Sequence, residues 1–142
     1  MSTIDWDEIT VGDELPALTL APINRTTLAL FAGASGDHNP IHIDIDYARR
    51  AGMPDVFAHG MLSMAYLGRL LTNWVDQRQL RRFGVRFVGI TQLGHEITCR
   101  AKVVEKFVAA GERRVKLEVQ TANQHGDVRI VGEAEVACDD RT

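Results

Sequence analysis

Residues 59–75, HGMLSMAYLGRLLTNWV, constrain the fold more than any other stretch of this 142-residue chain. Met61, Leu62, Met64, Ala65, Leu67, Leu70, Leu71, Trp74 and Val75 spread over most of a helix circumference, and a helix that is apolar nearly all round is a buried one. It needs cover on several sides. The residues that follow supply it, because from residue 79 the period changes from helical to alternating. After RRFGVRFVGI (81–90), Ile97, Cys99, Ala101 and Val103 share one face of a strand, and Glu96, Thr98, Arg100 and Lys102 share the other. Gly111 lies in a turn; Val115, Leu117 and Val119 then alternate with Arg114, Lys116 and Glu118. A second turn at NQHGD (123–127) leads to Val128, Ile130, Gly132, Ala134 and Val136 on a last strand. Four strands joined by short turns are expected to form an antiparallel meander, with the helix against it so that each buries the other's apolar face. A single sheet leaves edges and a second face to cover, so dimerisation is expected.

Upstream, LPALTLAP (15–22) reads as a first strand and NRTTLALFAGAS (24–35) as a helix capped by Asn24 or Thr26, with Leu28, Phe31 and Ala32 on its buried face. Gly36, Asn39 and Pro40 break the pattern, since the proline pushes Asn39 out of the helical region. A short helix from about residue 47 to 51, capped by Asp46, precedes the loop GMPDVF (52–57). No linker or repeat divides the chain, so residues 1–142 read as one domain, with 1–10 as a tail.

Charge and composition exclude several classes. A net charge of −3 and a pI near 5.9 argue against nucleic acid as the main partner. The charge-free apolar stretches, near residues 26–36 and 56–68, fall well short of the ~20 residues a membrane span requires, and the acidic N-terminus lacks the order of a signal peptide. Cys99 and Cys138 fit no zinc or redox spacing and are too few for a disulfide framework. A reduced, cytoplasmic setting is expected.

The stretch FAGASGDHNPIHIDIDYA (31–48) carries the chemistry. Asp37 and His42 are too far apart for a helical pair, but a proline-containing loop can fold back and point both into one cavity. There a carboxylate and an imidazole could hold one water between them, one accepting a proton and the other donating one, with partial burial tuning both. From the residues alone the opposite reading stays open: Asp37 caps the loop and His42 is a hydrogen-bonded core histidine. His42, Asp44 and Asp46 alternate with isoleucines, which in an extended segment would put three metal-ligand types on one side. Asp46 is better used as a helix cap, and no remote His or Cys pair completes such a site. Gly60, just before the apolar helix, stands where N–H groups are unpaired and a carbonyl oxygen or oxyanion could dock; a glycine there would equally permit tight entry of a buried helix. Ser35 and Ser63 lie in no G-x-S-x-G elbow, and no phosphate-binding glycine pattern is present.

Taken together, Gly36-Asp37-x-Asn39-Pro40-x-His42 and His59-Gly60 resemble the signature of the MaoC-like dehydratases, which include the (R)-specific enoyl-CoA hydratases and bacterial 3-hydroxyacyl-thioester dehydratases. The resemblance runs from about residue 8 to 138. It implies an α+β hotdog fold, an antiparallel sheet wrapped around a long central helix. It also implies reversible hydration of trans-2-enoyl thioesters of CoA or acyl carrier protein to (3R)-hydroxyacyl thioesters, with no metal or redox cofactor. Asp37 and His42 become the catalytic pair, Asn39 braces their loop, and the Gly60 N–H polarises the thioester carbonyl; His38 has no role. A homodimer or higher homo-oligomer is expected, with the pocket near the interface and its depth set by loop 49–57 and the central helix. Arg49, Arg50, Arg81, Arg82 and Arg86 are either solvated charges or contacts for the phosphates of the carrier. The rival readings are a non-catalytic acyl-thioester-binding subunit of a hetero-oligomeric dehydratase and a hotdog thioesterase, a different reaction on a shared fold.

Overall fold

The computed structural model describes residues 4–138. Helix α1 (Arg25–Ser35) starts at Asn24, whose Oδ1 accepts the Thr27 N–H at 2.9 Å, so Asn24 and not Thr26 is the cap. It stops at Gly36, in the left-handed region at φ 76°, whose N–H returns to the Ala32 carbonyl at 3.1 Å. Helix α2 (Ile45–Arg50) begins earlier than the sequence reading placed it, because Asp44 is its cap: Oδ1 accepts the N–H of Asp46 and Tyr47. Asp46 lies in the first turn, where its charge favours the helix dipole. Helix α3 (Gly60–Trp74) is the central helix.

Strands β1 (Leu18–Thr19), β2 (Leu80–Phe87), β3 (Thr98–Ala109), β4 (Glu112–Ala122) and β5 (Val128–Ala137) form one antiparallel sheet in the order β1-β3-β4-β5-β2. Only β3, β4 and β5 are the expected meander. Strand β2 pairs with β5 at the far edge (Phe83 opposite Ala134, Phe87 opposite Ile130), not with its chain neighbour β3. The cause is the segment 88–97, which is no hairpin turn. Its backbone is held to Arg129 by Val88 and Gly89, to Ala58 by Thr91 and to Ile23 by Gly94, so the chain crosses to the other side of the sheet, next to β1, before β3 begins. Strand β1 is much shorter than residues 15–22, since Pro16 and Pro22 cannot donate to the ladder.

Rows of side chains cross the sheet in register on the face toward α3: Val103, Leu117, Ala134 and Phe83 in one, Cys99, Thr121, Ile130 and Phe87 in another. Leu62, Ser63, Leu67, Leu70 and Leu71 are the buried residues of α3, and this mutual burial gives the hotdog arrangement that the family resemblance implies. The helix is not covered all round within one chain, as Met61 remains 52% exposed.

The N-terminal tail is a correction for part of its length. Residues 1–3 lie outside the described residues, but Ile4, Trp6 and Ile9 rest on the core. Trp6 donates its indole N–H to the Arg114 carbonyl at 3.1 Å, and Lys106 Nζ sits 4.0 Å from its ring centroid. An indole offers enough apolar area and π-face to tie down a segment that its acidic neighbours made look free. Arg81 is a second correction. It occupies the irregularity between Leu80 and Arg82 in β2 and turns to the buried Glu112, 2.7 Å from Nε to Oε1, where Arg114 also bonds. Among the described residues no helix is long and apolar enough to cross a membrane.

Candidate active site

The site is assembled where α1 ends and α3 begins. After Gly36 the chain is braced by a ladder of short local bonds: Ser35 Oγ accepts the Asp37 N–H at 3.2 Å, Asp37 Oδ1 accepts the Asn39 N–H at 3.2 Å, and Asn39 Oδ1 accepts the Ile41 N–H at 3.1 Å. Asn39 thereby caps the short 3-10 helix Pro40–His42, which swings His42 back toward Asp37. That turn also breaks the extended alternation, so Asp44 and Asp46 do not gather with His42 as metal ligands; both are exposed on α2.

His42 is buried, with Nδ1 2.8 Å from the Phe57 carbonyl. A carbonyl can only accept, so Nδ1 carries the proton and Nε2 of the neutral ring keeps a bare lone pair. His59, 1% exposed, stands at the N-cap of α3 without capping it. Its Nε2–H instead donates to the backbone carbonyl of Asp37 at 3.1 Å. Its ring stacks on His42 with centroids 4.0 Å apart, and Phe31 meets its edge at 4.9 Å. Burial pushes the His59 pKa down, the proximity of His42 adds to this, and the bond to Asp37 offsets part of it. The sequence reading quoted His59 in the motif but gave it no role; an imidazole at the head of the most apolar helix was the available signal.

Asp37, His42 and His59 bring three ligand-type atoms within 4.8 Å of one another. The set suits a metal ion poorly. Lone pairs lie in the ring planes, and two rings stacked at 27° direct theirs side by side, whereas zinc needs nitrogens converging at about 2.0–2.1 Å.

A cavity of about 300 Å³ opens beside the pair, with Asp37, Phe57, Gly60, Ser63, Phe87 and Ile130 among its walls. Gly60 is required by close approach: a Cβ there would lie 2.9 Å from Cδ1 and Cε1 of Phe87. Its N–H belongs to the first turn of α3, whose donors have no intrahelical acceptor and carry the positive end of the dipole. The expected pocket loop contributes only Phe57; residues 49–56 are tied elsewhere, with Asp55 gripped by Arg25 at 3.0 and 2.6 Å. A larger hollow, about 810 Å³, lies on the opposite face of the sheet among Arg82, Arg86, Lys102, Glu118 and Glu133, and contains no imidazole. Cys99 is buried, which pushes its thiol up to about 12 and keeps it protonated.

A curled antiparallel sheet around one buried helix, with a carboxylate and an imidazole at that helix's head, defines a hotdog-fold domain equipped for acid–base chemistry. The MaoC like domain family matches residues 8–126, and the chain belongs to that family. Among curated proteins it is 29% identical over 122 residues to an (R)-specific enoyl-CoA hydratase of Rhodospirillum rubrum, covering 80% of this chain and 78% of that one. It is also 27% identical over 138 residues to the fatty acid synthase subunit beta of Saccharomyces cerevisiae, covering 95% of this chain but only 6% of that much longer protein. The unliganded R-hydratase PhaJ1 of Pseudomonas aeruginosa superposes with a TM-score of 0.82 at 30% identity, over 98% of this chain and 88% of its own.

Proposed function

We propose that this protein adds water reversibly across a trans-2-enoyl thioester of CoA or acyl carrier protein to give the (3R)-hydroxyacyl thioester. The observation that carries this is the convergence of Asp37 and His42 beside a cavity that also receives the Gly60 end of α3. The hydratase relatives, alike over 80% and 98% of the chain, support it.

The chemistry follows from the groups present. Asp37 and His42 hold one water against the β-carbon. His42 Nε2, its lone pair kept bare by the Phe57 carbonyl on Nδ1, accepts a proton as the water oxygen bonds to that carbon. Negative charge moves to the thioester oxygen, and the Gly60 N–H meets it with a stabilisation of about 3 kcal/mol, typical of one such donor. A proton delivered by the pair to the α-carbon completes the addition. No redox cofactor or metal enters this sequence of steps. Asn39 acts through the loop, holding Asp37 and His42 in one geometry.

A homodimer completes the reading. Met61, Phe87, Val88 and Ile90 are each 45% exposed or more, beside the cavity and along the edge strand β2, where a second copy would cover both apolar surface and unpaired backbone. A non-catalytic subunit would have no use for both members of the pair. The test is loss of enoyl absorbance with crotonyl-CoA and a longer enoyl-CoA, with chiral analysis of the product. Formation of the (3R) alcohol supports the assignment, and inactivity on every chain length defeats it.

A further inference from the structure

Ser63 is the buried polar residue of the central helix, and the acid–base pair leaves it unused. It is 1% exposed, its Oγ has no hydrogen-bond partner among the described residues, and it lines the same cavity as Asp37 and Gly60. Its neighbours on the buried side of α3 are leucines. A buried hydroxyl among leucines costs stability unless something bonds it, so its place needs a reason.

Helix geometry supplies one. Residues three apart are neighbours on a helix surface, and three residues advance the axis by about 4.5 Å. Every Cα–Cβ bond tilts toward the helix N-terminus, so the Ser63 hydroxyl leans back over the first turn. Gly60 has no side chain to fill that space, and Phe87 already takes the position of its absent Cβ. The Gly60 N–H and the Ser63 hydroxyl therefore border one polar spot on a cavity wall that also carries Asp37 and Thr91. Two donors each about 2.9 Å from a common oxygen can stand as far apart as this spacing sets them.

We propose that Ser63 Oγ–H is a second donor to the thioester carbonyl oxygen, working with the Gly60 N–H on the charge that develops there. This rests on the hydratase reading above. The donor keeps its own proton throughout; it strengthens its bond as the oxygen becomes enolate-like. Since the ground-state carbonyl is a weaker acceptor than that oxygen, losing the hydroxyl is felt mainly in kcat.

The experiment compares the full-length wild type, Ser63→Ala and Thr121→Val on crotonyl-CoA, and records the spectrum of hexa-2,4-dienoyl-CoA bound to excess protein. Thr121 carries another buried hydroxyl without a partner among the described residues and does not line the cavity, so it controls for the loss of an orphan hydroxyl as such. The expected result is a fall in kcat on the order of a hundredfold for Ser63→Ala, with KM within threefold. The red shift of the bound dienoyl chromophore should shrink, the melting temperature should be unchanged or higher, and Thr121→Val should keep wild-type kinetics. A Ser63→Ala protein with kcat within twofold of wild type and an undiminished red shift overturns the inference while leaving the hydratase reading standing. A wild type inactive on every enoyl-CoA overturns both.

Discussion

The His59 ring lies on the His42 ring at 4.0 Å between centroids, while its Nε2–H holds the backbone carbonyl of Asp37 at 3.1 Å. One buried side chain at the head of α3 thus touches both members of the pair, fixing one by stacking and the other by its main chain. His59→Phe keeps an aromatic ring against His42 but leaves the Asp37 carbonyl without its donor, a loss of roughly 1–3 kcal/mol. We expect kcat/KM for enoyl-CoA hydration to fall about tenfold or more, and His59→Ala to do worse because the stack goes too. Full activity in His59→Phe would show that the hydrogen bond does not position Asp37.

The same residue makes stability depend on acid. An unfolded histidine titrates near 6.5, and burial holds folded His59 below that value. Between the two values the unfolded chain binds more protons, so stability rises with pH there. The contribution of His59 is complete above 6.5 and is lost as pH falls through its folded pKa. His95, lowered by burial and by Arg129, adds to the same trend. Melting curves at pH 7 and pH 5 should show a drop for the wild type that is smaller in His59→Phe, although that variant starts from a lower melting temperature. Equal drops would remove His59 as a source of the acid sensitivity.

Gly60 and Phe87 form a close pair across the cavity. A methyl group on residue 60 would press into the Phe87 ring at 2.9 Å, so Gly60→Ala must displace the ring or the head of α3. Hydration should fall at least tenfold, and the double variant Gly60→Ala/Phe87→Ala should recover part of it. Failure of the second change to restore any activity would place the damage in the helix backbone itself.

Much of this architecture was legible locally. The apolar circumference of α3 and the alternation in β3, β4 and β5 follow from periods within a dozen residues; Asn24 was one of two candidate caps, and the meeting of Asp37 with His42 rested on the family resemblance. What was not legible depends on distant partners. Period-two alternation tells which face of β2 is buried but not which strand lies beside it, so its pairing with β5 was missed. Trp6 finds Arg114, and Arg81 finds Glu112, only after folding. Asp46 was expected to cap α2, but the 3-10 turn that ends at His42 puts Asp44 in that place. Ser63 stood out only once the structure gave its hydroxyl a cavity and no partner.

The ion cluster at Glu112 should govern stability rather than activity. Its carboxylate is 2% exposed and is held by Arg81 and Arg114. Arg81→Ala removes one cation from a buried charge, which typically costs about 3–5 kcal/mol; Glu112→Gln, which neutralises the carboxylate but keeps its shape, should cost less. Denaturant melts of the two variants would decide, and an Arg81→Ala protein as stable as wild type would contradict the buried-pair account.

The central claim is that Asp37 and His42 handle one water as a unit, and its most direct test is the rate of crotonyl-CoA hydration in Asp37→Ala, His42→Ala and the double variant. Residues acting as a unit are strongly non-additive. The account predicts that each single change lowers kcat by about a thousandfold or more, in folded protein, and that the double variant is scarcely slower than either. Single variants with near wild-type rates, or losses that simply multiply in the double variant, would contradict it.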